Sequence, residues 1–213
     1  MRNLSVLEKI IGEVDLALRT LAPPRQRSSV RKSPGEHIAE SSLNPEEKRH
    51  VAGLMRVNHS GEVCAQALYQ GQALTAQLAT VKAQMDEAAA EEIDHLAWCE
   101  NRLAELGSQP SLLNPIWYVG SFMLGALAGL AGDRLSLGFV AETEYQVSAH
   151  LQKHLKILPN QDTKSKAILE QMQEDEAQHA HVAMNAGASE LPLFIKKIMQ
   201  GVSKLMTHSS YHV

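Results

Sequence analysis

The chain has 213 residues, 44% of them hydrophobic, and a formal net charge of −4 at pH 7. This length suits one domain with a sizeable core, and the apolar fraction excludes wholesale disorder. The acidic balance lacks the strongly basic character of nucleic-acid-binding proteins, so no nucleic-acid partner is expected. Cys64 and Cys99 have no CxxC spacing, which argues against a disulfide scaffold or a thiolate zinc site.

The first 43 residues are predicted to form an amphipathic helix followed by a linker. Apolar residues recur at helical spacing over residues 1–21, and the acids among them exclude a secretory signal. A stretch rich in Pro, Ser and basic residues follows. Two interpretations of this linker stay open. It is either a solvated segment or a contact with anionic lipid through its basic residues, Arg25, Arg27, Arg31 and Lys32.

Residues 44–213 are predicted to form an all-α bundle, because helix-favouring residues dominate and alternating strand patterns are rare. Asn44 and Pro45 are typical of a helix start, and a long helix is predicted from there to the late seventies. A second helix ends near Gly107. A third and a fourth, over 133–158 and 163–188, flank the turn "PNQD". An uncharged segment, 116–132, separates the second from the third, and an amphipathic helix over 191–206 closes the chain.

One acid–histidine pair occurs twice. "AEEIDHLAWCE" contains Glu92 and His95, and "QEDEAQHAHVA" contains Glu176 and His179. Residues three apart share a face of a helix, so each pair can bind one metal ion. A single Glu-x-x-His occurs by chance in many helical proteins, and the pairs therefore need partners.

The symmetry of an antiparallel hairpin supplies these partners. Residues equidistant from the turn lie level, which places Glu144 beside Glu176 and Glu62 beside Glu92. Buried carboxylates are costly unless they are paired or bind metal. The predicted metal site therefore combines four acids and two histidines, the ligand set of ferritin-like carboxylate proteins. Oxygen and imidazole donors suit iron or manganese. The alternative is that these acids are exposed and the histidines fill gaps.

Three further residues have two interpretations each. Glu91 and Asp175 precede the two histidines by four residues, and each either hydrogen-bonds the metal-binding histidine of the other half or is an exposed helix acid. His59, one turn before Glu62, either supports the site or has a packing or capping role.

Several long motifs together resemble one known family. "RVNHSGEVCAQALYQGQ", "EEIDHLAWCENRLAELGSQPSLLNPIWYVGSFMLGALAG" and "EDEAQH" occur in the order and spacing of the demethoxyubiquinone hydroxylases, di-iron monooxygenases of ubiquinone biosynthesis. The resemblance covers the chain from about Asn44 onward. It implies a ferritin-like four-helix bundle that hydroxylates a polyprenyl benzoquinone or quinol ring, using two iron ions, dioxygen and an external reductant. The implied iron ligands are Glu62, Glu92, His95, Glu144, Glu176 and His179, with Glu92 and Glu176 bridging.

The resemblance also implies binding partners, and the sequence differs from the family at one residue. The expected partners are the polyprenyl quinone, a membrane surface, and other ubiquinone-biosynthesis proteins or further copies of the chain. His150 matches a histidine of the family, and it is otherwise interpreted as a surface or interface histidine. Leu151 stands where relatives have a tyrosine, which argues against a tyrosine relay at that place.

The uncharged segment and the last helix predict association with a membrane. One crossing by residues 116–132 would separate Glu62 from Glu144, so the segment must instead dip in, lie at the interface or line a groove. Trp117 and Tyr118 suit an interface. Lysines on the apolar last helix suit a peripheral protein, on the cytoplasmic side of the inner membrane for a bacterial source.

The uncharged segment and the last helix distinguish between two candidate functions. An iron-handling ferroxidase or storage subunit would use the same ligands without a long apolar surface. A hydroxylase of a lipid-soluble ring needs such a surface. For the hydroxylase, residues 116–132 and the last helix are predicted to form the mouth of an apolar channel that ends near Glu62 and Glu144, with Leu124 and Leu127 along it.

Overall fold

The computed structural model describes residues 5–23, 27 and 29–213. Helices make up all the regular structure of this described part, which contains no strand, so the all-α prediction is confirmed. In chain order the helices are α1 Val6–Leu21, α2 Pro45–Thr75, α3 Ala79–Glu105, α4 Asn114–Leu130, α5 Asp133–Ile157, α6 Thr163–Asn185 and α7 Leu193–His212.

Local sequence signals fix the starts of the longest helices. The Asn44 side chain accepts hydrogen bonds from the backbone of Glu46 and Glu47, and the Glu47 carboxylate binds the backbone of Asn44 in return. This capping box, with Pro45 at the first helical position, sets the start of α2 at the predicted residue. The Asp162 side chain caps α6 through the backbone N–H of Ser165, at 3.0 Å.

The bundle consists of two antiparallel hairpins, α2 with α3 and α5 with α6. Of its buried apolar clusters, two include residues from all four bundle helices. One surrounds Met55, Trp98 and Met172, and the other surrounds Tyr69 and Met85. On each helix the predicted metal-binding residues lie between the members of these clusters. The predicted site is therefore enclosed at mid-bundle, with close-packed side chains at both ends.

Helix α4 packs backbone to backbone on α2. A Cβ atom on Gly125 would overlap the carbonyl of Leu68, and one on Gly71 would overlap the carbonyl of Phe122. Glycine is therefore required at both contacts, as at other close helix crossings. Of the three predicted placements of this segment, the structure shows packing along the bundle. No helix in the described part of the chain combines the length and hydropathy that a bilayer crossing requires.

The linker is fastened to α3 by its arginines. Arg27 binds the Glu100 carboxylate with a nitrogen–oxygen distance of 2.9 Å, and Arg31 binds Asp94 at 3.0 Å. Both guanidinium groups are thus paired within the protein, which argues against lipid contact through these two arginines. Lys32 is exposed and lies 3.6 Å from Glu36. Arg25 lies outside the described residues.

Two details of the apolar segments differ from the predictions. Tyr118 is buried and its hydroxyl donates a hydrogen bond to Gln70, so it is not exposed at an interface. Helix α7 continues six residues past the predicted end at Met206. The polar end of α7 is held by tertiary contacts: the Tyr211 hydroxyl lies 2.7 Å from His50 Nδ1, and Arg56 donates to the Tyr211 carbonyl at 2.7 Å.

Candidate metal centre

All six residues predicted to bind metal lie together in the interior of the bundle. Glu62 comes from α2, Glu144 from α5, and the two Glu-x-x-His pairs come from α3 and α6. Two overlapping groups have potential ligand atoms within 4.8 Å of one another. One contains Glu62, Glu92, His95 and Glu176, and the other contains Glu144, Glu176 and His179. All six side chains are buried, so the alternative of exposed acids is wrong, while their role as iron ligands stays a prediction.

Glu92 and Glu176 each contact both histidines. His95 Nδ1 lies 3.1 Å from Glu92 and 3.2 Å from Glu176. His179 Nδ1 lies 3.4 Å from each of the same two acids. The predicted bridging acids therefore occupy the centre of the cluster, with Glu62 and Glu144 towards opposite hairpins.

The outer nitrogen of each histidine is held by an acid of the other hairpin. His95 Nε2 lies 2.9 Å from Asp175, and His179 Nε2 pairs with Glu91. The cross-hairpin prediction for Asp175 and Glu91 is confirmed. These contacts direct both Nδ1 atoms into the cluster, as carboxylates behind metal-binding histidines do.

Polar atoms without partners show that the cluster fits metal ions. Within the described residues, Glu92 Oε1, Glu144 Oε2, both Glu176 oxygens and His179 Nδ1 are buried and form no hydrogen bond. A buried polar atom without a partner is destabilising by about 1–3 kcal/mol. The donors are carboxylate oxygens and imidazole nitrogens, the set that iron and manganese accept. Metal ions bound here would satisfy the atoms that the fold leaves unpaired.

The two outer acids hold protons readily. Burial, with the charges of Glu92 and Glu176, raises the pKa of Glu62 well above its usual value. Burial also raises the pKa of Glu144, with the neighbouring Glu176 adding to the effect. Neither acid can ionise easily among other carboxylates at low dielectric.

The central acids and the histidines form the complementary set. Burial opposes ionisation of Glu92, but the adjacent His179 and His95 outweigh it and hold the pKa of Glu92 well below its usual value. Burial would lower the pKa of His179, but Glu176 and Glu92 offset this and raise it to about 12. The cluster therefore balances its charge with protons, which divalent cations would displace.

Tyr69 is a site residue that sequence reasoning missed. It lies two turns after Glu62 on α2, is buried, and donates a hydrogen bond to Glu144 Oε1. Burial raises the pKa of Tyr69 well above its usual value, so the phenol keeps its proton and remains a donor. Its seven-residue spacing from Glu62 was an available signal, because residues seven apart share a helix face.

A cavity of 310 Å³ reaches the cluster from one side of the bundle. Glu62 lies in its wall, and the rest is mostly apolar side chains of α2, α4, α5 and α7, including Leu68, Leu124, Phe139, Ile198 and Val202. The predicted channel is confirmed for Glu62 and Leu124. Leu127 does not line this cavity, so that part of the prediction is wrong. Glu144 is not part of the cavity wall either, and its carboxylate accepts a hydrogen bond from Tyr69.

The two remaining histidines have different surroundings. His150 lines the cavity, and its Nε2 has no partner among the described residues, so a surface role is wrong. Burial, with Lys153 nearby, lowers the pKa of His150 to about 4, which keeps the ring neutral. His59 lies 3.1 Å from both Glu100 and Asn114, so it joins α2, α3 and α4 and does not support the cluster.

The four-helix bundle with carboxylates and histidines at its centre defines the class of protein as ferritin-like. The structure resembles that of the bacterioferritin-related protein from Bacteroides fragilis, a dodecameric thioferritin, with a TM-score of 0.53 and 18% sequence identity. That match covers 65% of this chain and 86% of the other. It confirms the predicted fold class.

Sequence comparison narrows the class to one family. The family model "Ubiquinone biosynthesis protein COQ7" matches residues 49–210. Proteins named 3-demethoxyubiquinol 3-hydroxylase from Legionella pneumophila (strain Corby) and Acinetobacter baylyi are 67% and 58% identical over 213 residues, and each match covers all of both chains. The chain belongs to the COQ7 family of ubiquinone biosynthesis proteins.

Proposed function

We propose that this protein hydroxylates the ring of a demethoxy polyprenyl quinol in ubiquinone biosynthesis, with dioxygen as co-substrate. The observation that carries the proposal is the position of Glu62, which belongs both to the buried carboxylate–histidine cluster and to the wall of an apolar cavity. Full-length relatives at 67% and 58% identity carry the name 3-demethoxyubiquinol 3-hydroxylase, which agrees with this assignment.

The cluster is proposed to hold two iron ions. Glu62, Glu92, His95 and Glu176 surround one position, and Glu144, Glu176 and His179 surround the other. Bound iron would supply the activation of dioxygen. One oxygen atom would enter a ring C–H bond and the other would leave as water, with two electrons from an external reductant and two protons from solvent.

The residues of the chain supply position and exclude water. The two apolar clusters close the bundle above and below the acids. The cavity offers an apolar wall for the ring and the start of its tail. Two polar groups in that wall, the Asn58 carboxamide and His150 Nε2, have no partners in the described part of the chain and are available to the ring oxygens. A pocket with a few polar groups in an apolar wall is typical of small-molecule sites.

Peripheral attachment to a membrane follows from the same side of the molecule. Helices α4 and α7 line the cavity, and both expose large apolar side chains, with Ile116 65% exposed and Phe194 65% exposed. Lys197 and Lys204 are exposed on α7, whereas Lys196 is paired with Glu142 at 3.2 Å. Apolar surface bordered by lysine favours insertion into one leaflet. For a bacterial cell we propose the cytoplasmic side of the inner membrane, where a long-tailed quinol resides.

An iron-handling role is the second candidate, and it is less consistent with the observations. The similarity to the thioferritin is one of fold at 18% identity. A ferroxidase or storage subunit has no need for an apolar cavity beside its metal ligands or for exposed apolar faces on two helices. Membership of the COQ7 family also favours the hydroxylase.

Quinone extraction tests the proposal directly. Cells lacking this protein should accumulate a quinone whose ring lacks one hydroxyl-derived substituent, and the wild-type chain should restore the mature quinone. Glu176→Ala should not restore it, because it removes a central acid of the cluster. Glu174→Ala, an exposed acid two residues earlier on the same helix, is the matched control and should restore it. A normal quinone profile in the deleted cells would refute the proposed function.

A further inference from the structure

The two metal-binding histidines are supported by acids in different electrostatic surroundings. Asp175, behind His95, has a side chain that is only 14% exposed, and it receives hydrogen bonds from Arg31 at 2.8 Å and from Gln171 at 3.1 Å. Glu91, behind His179, is 48% exposed, and no lysine or arginine pairs with it in the described part of the chain. The acid behind His95 is therefore buried and paired with a cation, whereas the acid behind His179 is exposed to water.

Arg31 makes this difference, and it comes from the linker outside the bundle. Its Nη1 donates to Asp175 on α6, while its Nε donates to Asp94 on α3. Its guanidinium carbon lies 5.0 Å from the centroid of the Trp98 ring, and the Trp98 indole donates to the Arg31 carbonyl at 3.2 Å. One planar cation thus joins an acid from each hairpin at a fixed separation, which lysine could not do with a single charged atom.

Arg31 reaches His95 in two ways, through Asp175 and by a direct approach in which Arg31 Nη2 lies 3.4 Å from His95 Nε2. Asp175 Oδ2 accepts the bond from Arg31 and also faces His95 Nε2 at 2.9 Å. Asp94, the other acid bound by Arg31, is the residue directly before His95 and also accepts a bond from the backbone N–H of Val30 at 2.7 Å. Movement of Arg31 would therefore release Asp175 and change the orientation of the His95 ring.

We infer that Arg31 is a positioning residue for the His95 half of the metal centre and has no such effect on the His179 half. The linker would thereby set the affinity of one metal position from outside the bundle. This inference rests on the proposed function, because it requires two bound ions. Replacement of groups that orient metal-binding histidines commonly weakens metal binding by about 10- to 100-fold.

Titration of the full-length protein with Co²⁺ tests the inference, since its absorption reports each bound ion. The wild-type chain should bind two ions, and fewer than two would defeat the di-iron proposal itself. Arg31→Gln should weaken one of the two binding steps by about tenfold and leave the other unchanged. Arg27→Gln is the matched control, because Arg27 belongs to the same linker and pairs with Glu100 on α3 without touching the cluster or the acids behind it. It should bind as the wild type does.

A double-mutant cycle separates positioning from a general structural role. If Arg31 acts mainly through Asp175, Arg31→Gln should have a much smaller effect in an Asp175→Asn background than in the wild type, and only the direct contact with His95 would account for what remains. Arg31→Lys keeps the charge and should fold even if Arg31→Gln does not, and it should still weaken the same step. Three results would overturn the inference while leaving the two-ion site intact. They are equal effects of Arg31→Gln and Arg27→Gln, a change in both binding steps or in neither, and additivity of Arg31→Gln with Asp175→Asn.

Discussion

The Tyr69 hydroxyl donates a hydrogen bond to Glu144 and so joins α2 to α5 at the edge of the carboxylate–histidine cluster. The other oxygen of Glu144, Oε2, has no partner among the described residues. Tyr69 therefore holds the carboxylate by Oε1 and leaves Oε2 available to the cluster. Tyr69→Phe should keep the fold and lower both metal affinity and turnover by about 10-fold, the usual size of an outer-contact effect. Metal content and turnover should be measured on the same preparations.

Tyr118→Phe is the control for this change. Tyr118 is also buried and also donates to a neighbouring side chain, Gln70, but it does not contact the cluster. Equal losses in both variants would show that the Tyr69 effect is one of packing.

The central acids should matter most for iron content. Glu92 and Glu176 contact both histidines, and replacing either with Ala removes a carboxylate from the centre of the cluster. We expect bound iron to fall from two ions to fewer than one per chain, measured by elemental analysis after anaerobic loading. Glu174→Ala should keep both ions, and full iron occupancy in Glu92→Ala and Glu176→Ala would refute the ligand assignment.

Variants of two leucines of α4 allow entry of the substrate tail to be tested separately from attachment to a membrane. Leu124 lines the cavity, whereas Leu127 is 61% exposed and lies outside it. A lysine at Leu124 should oppose entry of a long tail by about 2–3 kcal/mol if the mouth lies at membrane depth. Turnover should fall more on a long-tailed than on a short-tailed quinol, with iron content unchanged. Leu127→Lys should show no such dependence on tail length. Equal losses of turnover on both substrates in Leu124→Lys would indicate that α4 is a packing element and not part of a channel.

Exposed apolar residues of α7 should hold the protein on lipid vesicles. The wild-type protein should float with vesicles that contain anionic lipid, and high salt should release only part of it, because salt screens the lysines and not the apolar contact. Phe194→Asp should weaken partitioning by about tenfold or more, since burying one such side chain contributes about 1.5–3 kcal/mol. Val182→Asp, at an exposed apolar residue of α6, should have no effect. Wild-type protein that stays entirely off the vesicles would contradict the proposal.

His154 should make the protein less stable in acid. Burial, with His150 and His50 nearby, lowers the pKa of His154 to about 3. Between its usual value of 6.5 and 3, the unfolded chain binds a proton that the folded chain does not, so stability falls as the pH falls through this range. His154→Leu removes the buried histidine and with it this loss of stability at low pH. Its free energy of unfolding relative to the wild type should improve by up to about 2 kcal/mol between pH 7.5 and 5. Urea unfolding at both values measures this, and His37→Gln, at an exposed histidine, should show no such gain.

The six clustered residues were predictable because their signal is periodic. Each Glu-x-x-His lies on one helical turn, and hairpin symmetry relates Glu62 to Glu92 and Glu144 to Glu176 without knowledge of the packing. The same logic offered Asp175 and Glu91 as partners of the histidines, but it could not distinguish this from exposed helix acids. Helix starts at Asn44 and Asp162 follow from capping chemistry, which involves only neighbouring residues.

Contacts between distant segments were decided by the tertiary structure alone. The linker that contains Arg31 was interpreted either as a solvated segment or as a lipid contact, because nothing local indicates that Arg31 meets Asp175, 144 residues away. The hydrogen bond of Glu144 comes from Tyr69, which belongs to the other hairpin. Helix periodicity states which residues share a face, and it is set by the backbone. Which faces meet, and where a linker crosses them, depends on side-chain packing across the whole bundle, and no local segment of the chain encodes that.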